Sequence, residues 1–229
     1  MPRKYTRRAR KAPARKRAPY RRRAKYGRKK YAIQRTLFPP FARTRLKYCM
    51  QMTVTQAVSG VAQTYYFRAN SIFDPDLTGG GHQPYLHDEW ALAYDHYKVV
   101  SSMIKIDVFP AGTTGADGVV AGIKLNDDTF SNVDPSLLME ENMSKWGVCS
   151  SRDGPKGLTL IKKFKSNIQF KGRNAEDVSA PFGTNPADGA FYTFWLSGLN
   201  TTVAASGVNC VVTIWYDCLM TERKDIAQS

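Results

Sequence analysis

The side chains best equipped to do chemistry crowd into the first thirty positions. Arg3-Lys4, Arg7-Arg8, Arg10-Lys11, Arg15-Lys16-Arg17, Arg21-Arg22-Arg23, Lys25 and Arg28-Lys29-Lys30 follow one another without a counter-charge, and the first carboxylate of the chain is Asp74. Cationic groups at this density neutralise phosphates. Each contact releases condensed counterions, which gives strong, salt-dependent affinity with little sequence preference. Arg outnumbers Lys here, and its planar fork suits bidentate contact with a phosphate. Tyr5, Tyr20, Tyr26 and Tyr31 are interleaved with the charges, a spacing that suits stacking on unpaired bases. The chemistry is nucleic-acid binding, with single strands favoured over a duplex. The same clusters satisfy a nuclear-import pattern, which makes import receptors a second partner.

Two other constellations need weighing. His82, His87, Asp88, Glu89 and His96 fall within fifteen residues. A metal site in a β-sandwich would want imidazoles alternating along paired strands, and these sit on a glycine-rich loop and a short helical stretch. The expectation is local hydrogen bonding, with no metal and no cofactor. Gly79-Gly80-Gly81 lacks the Gly-Lys-Ser/Thr ending of a phosphate loop and reads as a turn needing positive φ. No Ser/His/Asp or Cys/His set has a local signature, so no catalytic residue is assigned and an enzyme is not expected. The last constellation is basic: Lys162, Lys163 and Lys165, with Lys171 and Arg173 nearby. As a strand it puts Lys163 and Lys165 on one face and Lys162 on the other. Three readings stay open for it: a cell-surface sulfated polysaccharide site, a second patch for DNA, and a solvated strand edge.

The charge distribution separates the elements that must carry these groups. Of 34 Lys+Arg, 20 lie in residues 1–47, which leaves 14 against all 19 Asp+Glu in the remainder. The formal net charge of +15 is thus +20 on residues 1–47 and −5 on a slightly acidic remainder. The arm, residues 1–45, has no apolar periodicity, and Pro2, Pro13, Pro19, Pro39 and Pro40 discourage a helix, so it is expected to be disordered when alone. With 42% hydrophobic and 12% aromatic residues overall, the body, residues 46–229, can bury a core. No apolar h-region follows the positive start, and the apolar stretches fall short of the ~18–20 residues of a bilayer span, so membrane insertion is not expected. Cys49, Cys149, Cys210 and Cys218 are dispersed without a C-x-x-C pair and read as reduced thiols.

From Leu46 onward the dominant period is two. Alternating sets run through Leu46–Thr55, Val100–Val108, Val119–Leu125 and Val208–Met220, with shorter candidates at Thr64–Asn70, Lys145–Ser150, Gly157–Phe164 and Ala190–Leu199. Helical suggestions are confined to Glu89–His96 and Pro135–Asn142, too short to cover a parallel sheet. The fold class is therefore all-β, an eight-stranded antiparallel jelly-roll sandwich behind a basic arm. In Ala190–Leu199 both faces are apolar, Phe191 and Trp195 on one and Tyr192 and Phe194 on the other, and Trp215 and Leu219 fall on the outward side of the last strand. Something must cover these second faces. A loop of the same chain and a neighbouring subunit are equal candidates, so Phe191, Trp195, Trp215 and Leu219 are candidate subunit-interface residues.

The order of parts resembles the capsid proteins of circoviruses and related circular single-stranded DNA viruses. The residues that carry the resemblance are Phe67-Arg68-Ala69-Asn70-Ser71-Ile72-Phe73-Asp74-Pro75-Asp76, the triple glycine with His82-Gln83-Pro84-Tyr85, and Asp88-Glu89-Trp90. Tyr94-Asp95-His96-Tyr97-Lys98-Val99, Phe194-Trp195-Leu196 and the closing strand Val211–Met220 complete the order. The resemblance spans the chain, although 126–189 matches only in strand count. It implies a self-assembling icosahedral shell of about sixty copies around a circular single-stranded DNA genome. It also implies location in the virion, and in the host nucleus during assembly. Sixty arms of +20 would supply about 1,200 charges, against a genome of roughly two thousand phosphates if this gene has one larger companion. The rival readings are a cellular single-stranded nucleic-acid-binding β-protein and a metal-dependent jelly-roll enzyme.

Overall fold

The computed structural model describes residues 39–78, 80–111, 118–130, 133–150, 157–202 and 207–225. The arm residues Arg3 to Lys30 and the tyrosines among them lie outside the described residues, as does the expectation that the arm is disordered.

Alternation becomes strand where one face can be buried against a second layer. The strands are β1 (Ala42–Val54), β2 (Gln63–Arg68), β3 (Tyr94–Pro110), β4 (Val119–Asn126), β5 (Lys145–Cys149), β6 (Leu158–Lys165), β7 (Ala180–Pro181), β8 (Phe191–Gly198) and β9 (Val208–Arg223). They form two antiparallel sheets. One has the order β1-β9-β3-β6, with the two-residue β7 also on β3, and the other has the order β2-β8-β4-β5. Apart from β4 and β5, which pair directly, successive long strands alternate between the sheets. That winding is the jelly roll expected from the sequence. The ninth strand is the short β7, which pairs with His96 and Tyr97 on the edge of β3 that β6 occupies further along.

Several boundaries differ from the periodic reading. β1 begins at Ala42, four residues before the alternation at Leu46, because Ala42 to Arg45 find partners in Met220 to Asp217 of β9. β3 begins at Tyr94 rather than Val100. Its register shifts between Val99 and Ser101, so Tyr97 and Val99 point inward before the irregularity, and Ser102, Ile104 and Ile106 after it. Val100 therefore points to solvent instead of joining the inward set of Ile104. A single extra residue breaks the period on which the sequence signal depends. The first expected helix is displaced to α1 (His87–Ala93), since Tyr94 and His96 belong to β3. The second is shortened to α2 (Pro135–Glu140), capped by Asp134, whose side chain accepts from Ser136 N at 2.8 Å. A third short helix is α3 (Ser166–Gln169).

The core lies between the sheets, and tyrosines stitch it with hydrogen bonds. Tyr216 on β9 donates to the Arg68 carbonyl of β2 at 2.8 Å. Ser102 on β3 and Tyr192 on β8 share a hydroxyl pair at 2.8 Å, and Ser102 also donates to the Ala69 carbonyl. Tyr97 donates to the Thr184 carbonyl at 2.8 Å and meets Ser71 at 2.9 Å. Each buried hydroxyl is satisfied, and stranding one would cost about 1–3 kcal/mol.

The doubly apolar β8 is explained within the chain. Trp195 is fully buried in a satellite cluster with Ala62, Val120 and Leu138 of α2, flanked by Phe130, Val133 and Met139. Its indole donates to Ser144 Oγ at 3.3 Å. The expectation that Trp195 contacts a neighbouring subunit is corrected: the segment around α2 folds over this face and buries the ring.

Candidate functional site

The chemistry that the described residues bring together lies on the outward face of the β1-β9-β3-β6 sheet. Antiparallel register aligns side chains across it in rows. One row runs Arg45, Asp217, Ser101, Lys165, and the next runs Lys47, Trp215, Met103, Lys163. Arg43, Leu219 and Lys98 form a row on one side, and Cys49, Thr213, Lys105 and Ile161 on the other. The face therefore has basic rims on β1 and β6 and a mixed centre, in which the Trp215–Met103 pair is flanked by polar and charged rows. Lys47 and Lys163 stand three strand spacings apart, about 14 Å.

Two of its cations are held by carboxylates. Arg45 Nε donates to Asp217 Oδ1 at 2.7 Å and Ser101 Oγ to Asp217 Oδ2 at 2.9 Å, while Lys105 Nζ lies 2.7 Å from Asp107 Oδ2. The Arg45 donor, helped by Ser101, holds the Asp217 carboxyl below the usual carboxylate range against the opposing effect of burial. Arg43, Lys47, Lys98, Lys163 and Lys165 have no ion pair among the described residues. Two shallow grooves cross the face. One is lined by Arg43, Arg45, Val100 and Asp217, and the other by Arg45, Met103, Lys163, Lys165 and Trp215.

The basic cluster read from the sequence is divided by this geometry. Lys163 and Lys165 point outward from β6, as the alternation required. Lys162 points the other way and donates to the Met143 carbonyl, and burial, with Lys145 nearby, lowers its pKa. Lys171 is exposed beyond α3. Arg173 pairs with Asp188 at 2.6 Å and lies over Phe170, in a recess that also contains Asp127 and Asp128. Lys162 and Arg173 thus leave the patch. Phe191 is half-buried under Arg68, whose guanidinium carbon lies 5.5 Å from the ring centroid, and Trp215 and Leu219 remain half-buried on the outward face.

The histidines go to separate places. His82 stacks on Tyr48 with centroids 4.9 Å apart, His87 is buried against Phe73 and Phe182 with Nδ1 2.9 Å from Asp88, and His96 lies 2.9 Å from Glu222. No group of three His, Cys, Asp or Glu able to hold a metal occurs among the described residues. The glycine turn is corrected as well. Gly80 and Gly81 have no positive φ, and Gly81 is needed because an added Cβ would meet the Tyr48 hydroxyl at 2.6 Å. Gly79 lies outside the described residues.

The fold aligns with chains of solved viral structures at low identity. The empty head of Turnip Yellow Mosaic Virus aligns at 13% identity over 86% of this chain and 90% of that one, with a TM-score of 0.43. The 60-mer BFDV capsid protein aligns at 12% identity over 84% of this chain and 100% of that one, with a TM-score of 0.45. The Nora virus structure aligns at 11% identity over 86% of this chain and 68% of that one, with a TM-score of 0.46. No family model and no curated protein matches the sequence.

Sequence reasoning missed Arg43, Arg45, Lys47, Lys98 and Lys105 as parts of one surface. It assigned Arg43 and Arg45 to the arm and did not mark the other three as site residues. The signal was present in part: Arg43, Arg45 and Lys47 recur at every second position, the spacing of one strand face. Nothing local indicates that this face lies across two strands from Lys163.

Proposed function

We propose that this chain is a viral capsid protein that self-assembles into a small icosahedral shell and packages circular single-stranded DNA through its basic arm. The observation that carries this reading is the joining of two unlike parts. A segment with 17 basic residues and no counter-charge precedes the first strand of a jelly-roll sandwich, and three more cations lie within that strand. A packaging protein needs both, a polycation for the genome and a rigid block for the wall. Exposed apolar side chains on the block support the self-assembly. Trp146 and Val148 stand out from β5, which among the described residues pairs only with β4, and Leu137 and Met143 are exposed near them in sequence. An unpaired strand edge with large apolar groups is a surface that another copy can cover. Nuclear entry by the same arm, through import receptors, belongs to this reading, with the virion and the host nucleus as its locations.

Negative-stain microscopy of the purified full chain tests it. Uniform small spheres are expected, and a protein that stays small on a sizing column with and without single-stranded DNA would overturn the reading. Removing residues 1–38 takes away no described strand. The truncated chain should keep its β-rich circular dichroism while losing packaged nucleic acid and nuclear entry.

A further inference from the structure

We infer that the outward face of the β1-β9-β3-β6 sheet is a second nucleic-acid site, on which a single strand lies with its phosphates at the basic rims and a base against Trp215. The inference deepens the packaging reading and rests on it for the identity of the polyanion. Charge complementarity selects the class of occupant. Residues 47–229 carry more carboxylates than cations, yet this face holds Lys47, Lys98, Lys163 and Lys165 without ion pairs among the described residues. A second copy docked face to face would bring like charges together.

Within the polyanions, two further observations favour a single-stranded nucleic acid over a sulfated polysaccharide. One row places Trp215 and Met103 between Lys47 and Lys163, so an aromatic and an apolar side chain lie directly between two cations. A flat ring between cations suits an unpaired base, whereas a duplex presents no free base face and a sugar sulfate has no flat aromatic surface to stack. The β1 rim is also basic in its own right. Arg43, Arg45 and Lys47 are outward positions of β1, so the strand itself presents a row of cations along this edge of the face. Lys162, one residue from Lys163 but on the opposite face, takes no part.

Photocrosslinking of the full chain to an oligothymidylate carrying 5-iododeoxyuridine, with sites mapped by mass spectrometry, tests the contact directly. Crosslinks at Trp215 or Met103 are expected, and crosslinks confined to residues 1–38 would overturn the site. In parallel, the slope of log affinity against log salt should fall by about 2 when Lys47, Lys163 and Lys165 are all changed to Ala, at roughly 0.7 per phosphate contact on a single strand. Lys162→Ala should leave the slope unchanged. An unchanged slope in the triple variant would overturn the proposal. A heparin fragment that shields the exposed Cys49 thiol from maleimide where the oligonucleotide does not would also overturn it, in favour of the polysaccharide. Particles scored in the same samples separate the two readings. A Trp215 crosslink without particles sinks the capsid and keeps the face, and particles without the crosslink sink the face alone.

Discussion

Arg45 and Asp217 face each other across the β1–β9 ladder as a two-point pair, Nε to Oδ1 at 2.7 Å and Nη2 to Oδ2 at 3.2 Å. Asp217 also accepts from Ser101 on β3, so one carboxylate ties three strands on the outward face. Because the folded carboxyl is held below its ordinary value, its contribution to stability is present above the unfolded pKa. That contribution is lost as pH falls through the folded value. Asp217→Asn should therefore be slightly less stable than the parent in urea at pH 7, with the gap closing below about pH 4 and shrinking in high salt. A gap that persists undiminished in acid would show that the carboxylate charge is not the cause.

Gly122 of β4 lies opposite Trp195 of β8, and an added Cβ would run into the indole. The ring is enclosed by the segment around α2 and has no room to withdraw. Gly122→Ala should destabilise the body by about 1–3 kcal/mol, read as a lower midpoint in thermal or denaturant unfolding. Unchanged stability would mean that the α2 segment covers Trp195 only loosely.

Lys162 shows the cost of pointing an ammonium group inward. Its folded pKa is lowered, first by burial and then by Lys145, so between the folded value and the ordinary lysine value the unfolded chain binds the proton more readily. Stability from this group rises with pH through that window, and at neutral pH the charge is unfavourable. Lys162→Met should raise the unfolding midpoint at pH 7, with the advantage fading as pH approaches 10. A loss of stability would show that the hydrogen bond to the Met143 carbonyl outweighs the burial.

The four thiols should divide by accessibility. Cys49 is exposed on the outward face, while Cys149, Cys210 and Cys218 are buried. Burial pushes the Cys210 thiol up to about 12 and raises Cys149 and Cys218 as well, and the thiolate is the reactive form. Maleimide at pH 8 should modify one thiol in the folded protein and all four in denaturant, counted by intact-mass spectrometry. Rapid modification of a second thiol under native conditions would contradict the packing of the core.

The sequence by itself determined the all-β class, the approximate place of the eight main strands and the segregation of positive charge into residues 1–47. Period-two alternation and segregated charge are local properties, which one strand or one run displays without reference to its partners. Tertiary structure decided what depends on register and covering. The irregularity at Val100 concealed the first third of β3, because one extra residue inverts the faces on which the pattern rests. Trp195 looked like an interface residue because its face is apolar, and only the folding of α2 over it shows that the chain supplies its own cover. The row joining Lys47 to Trp215, Met103 and Lys163 brings together residues that lie more than fifty positions apart in the chain. Strand pairing alone sets those distances, and no local pattern in the sequence records which strands become neighbours.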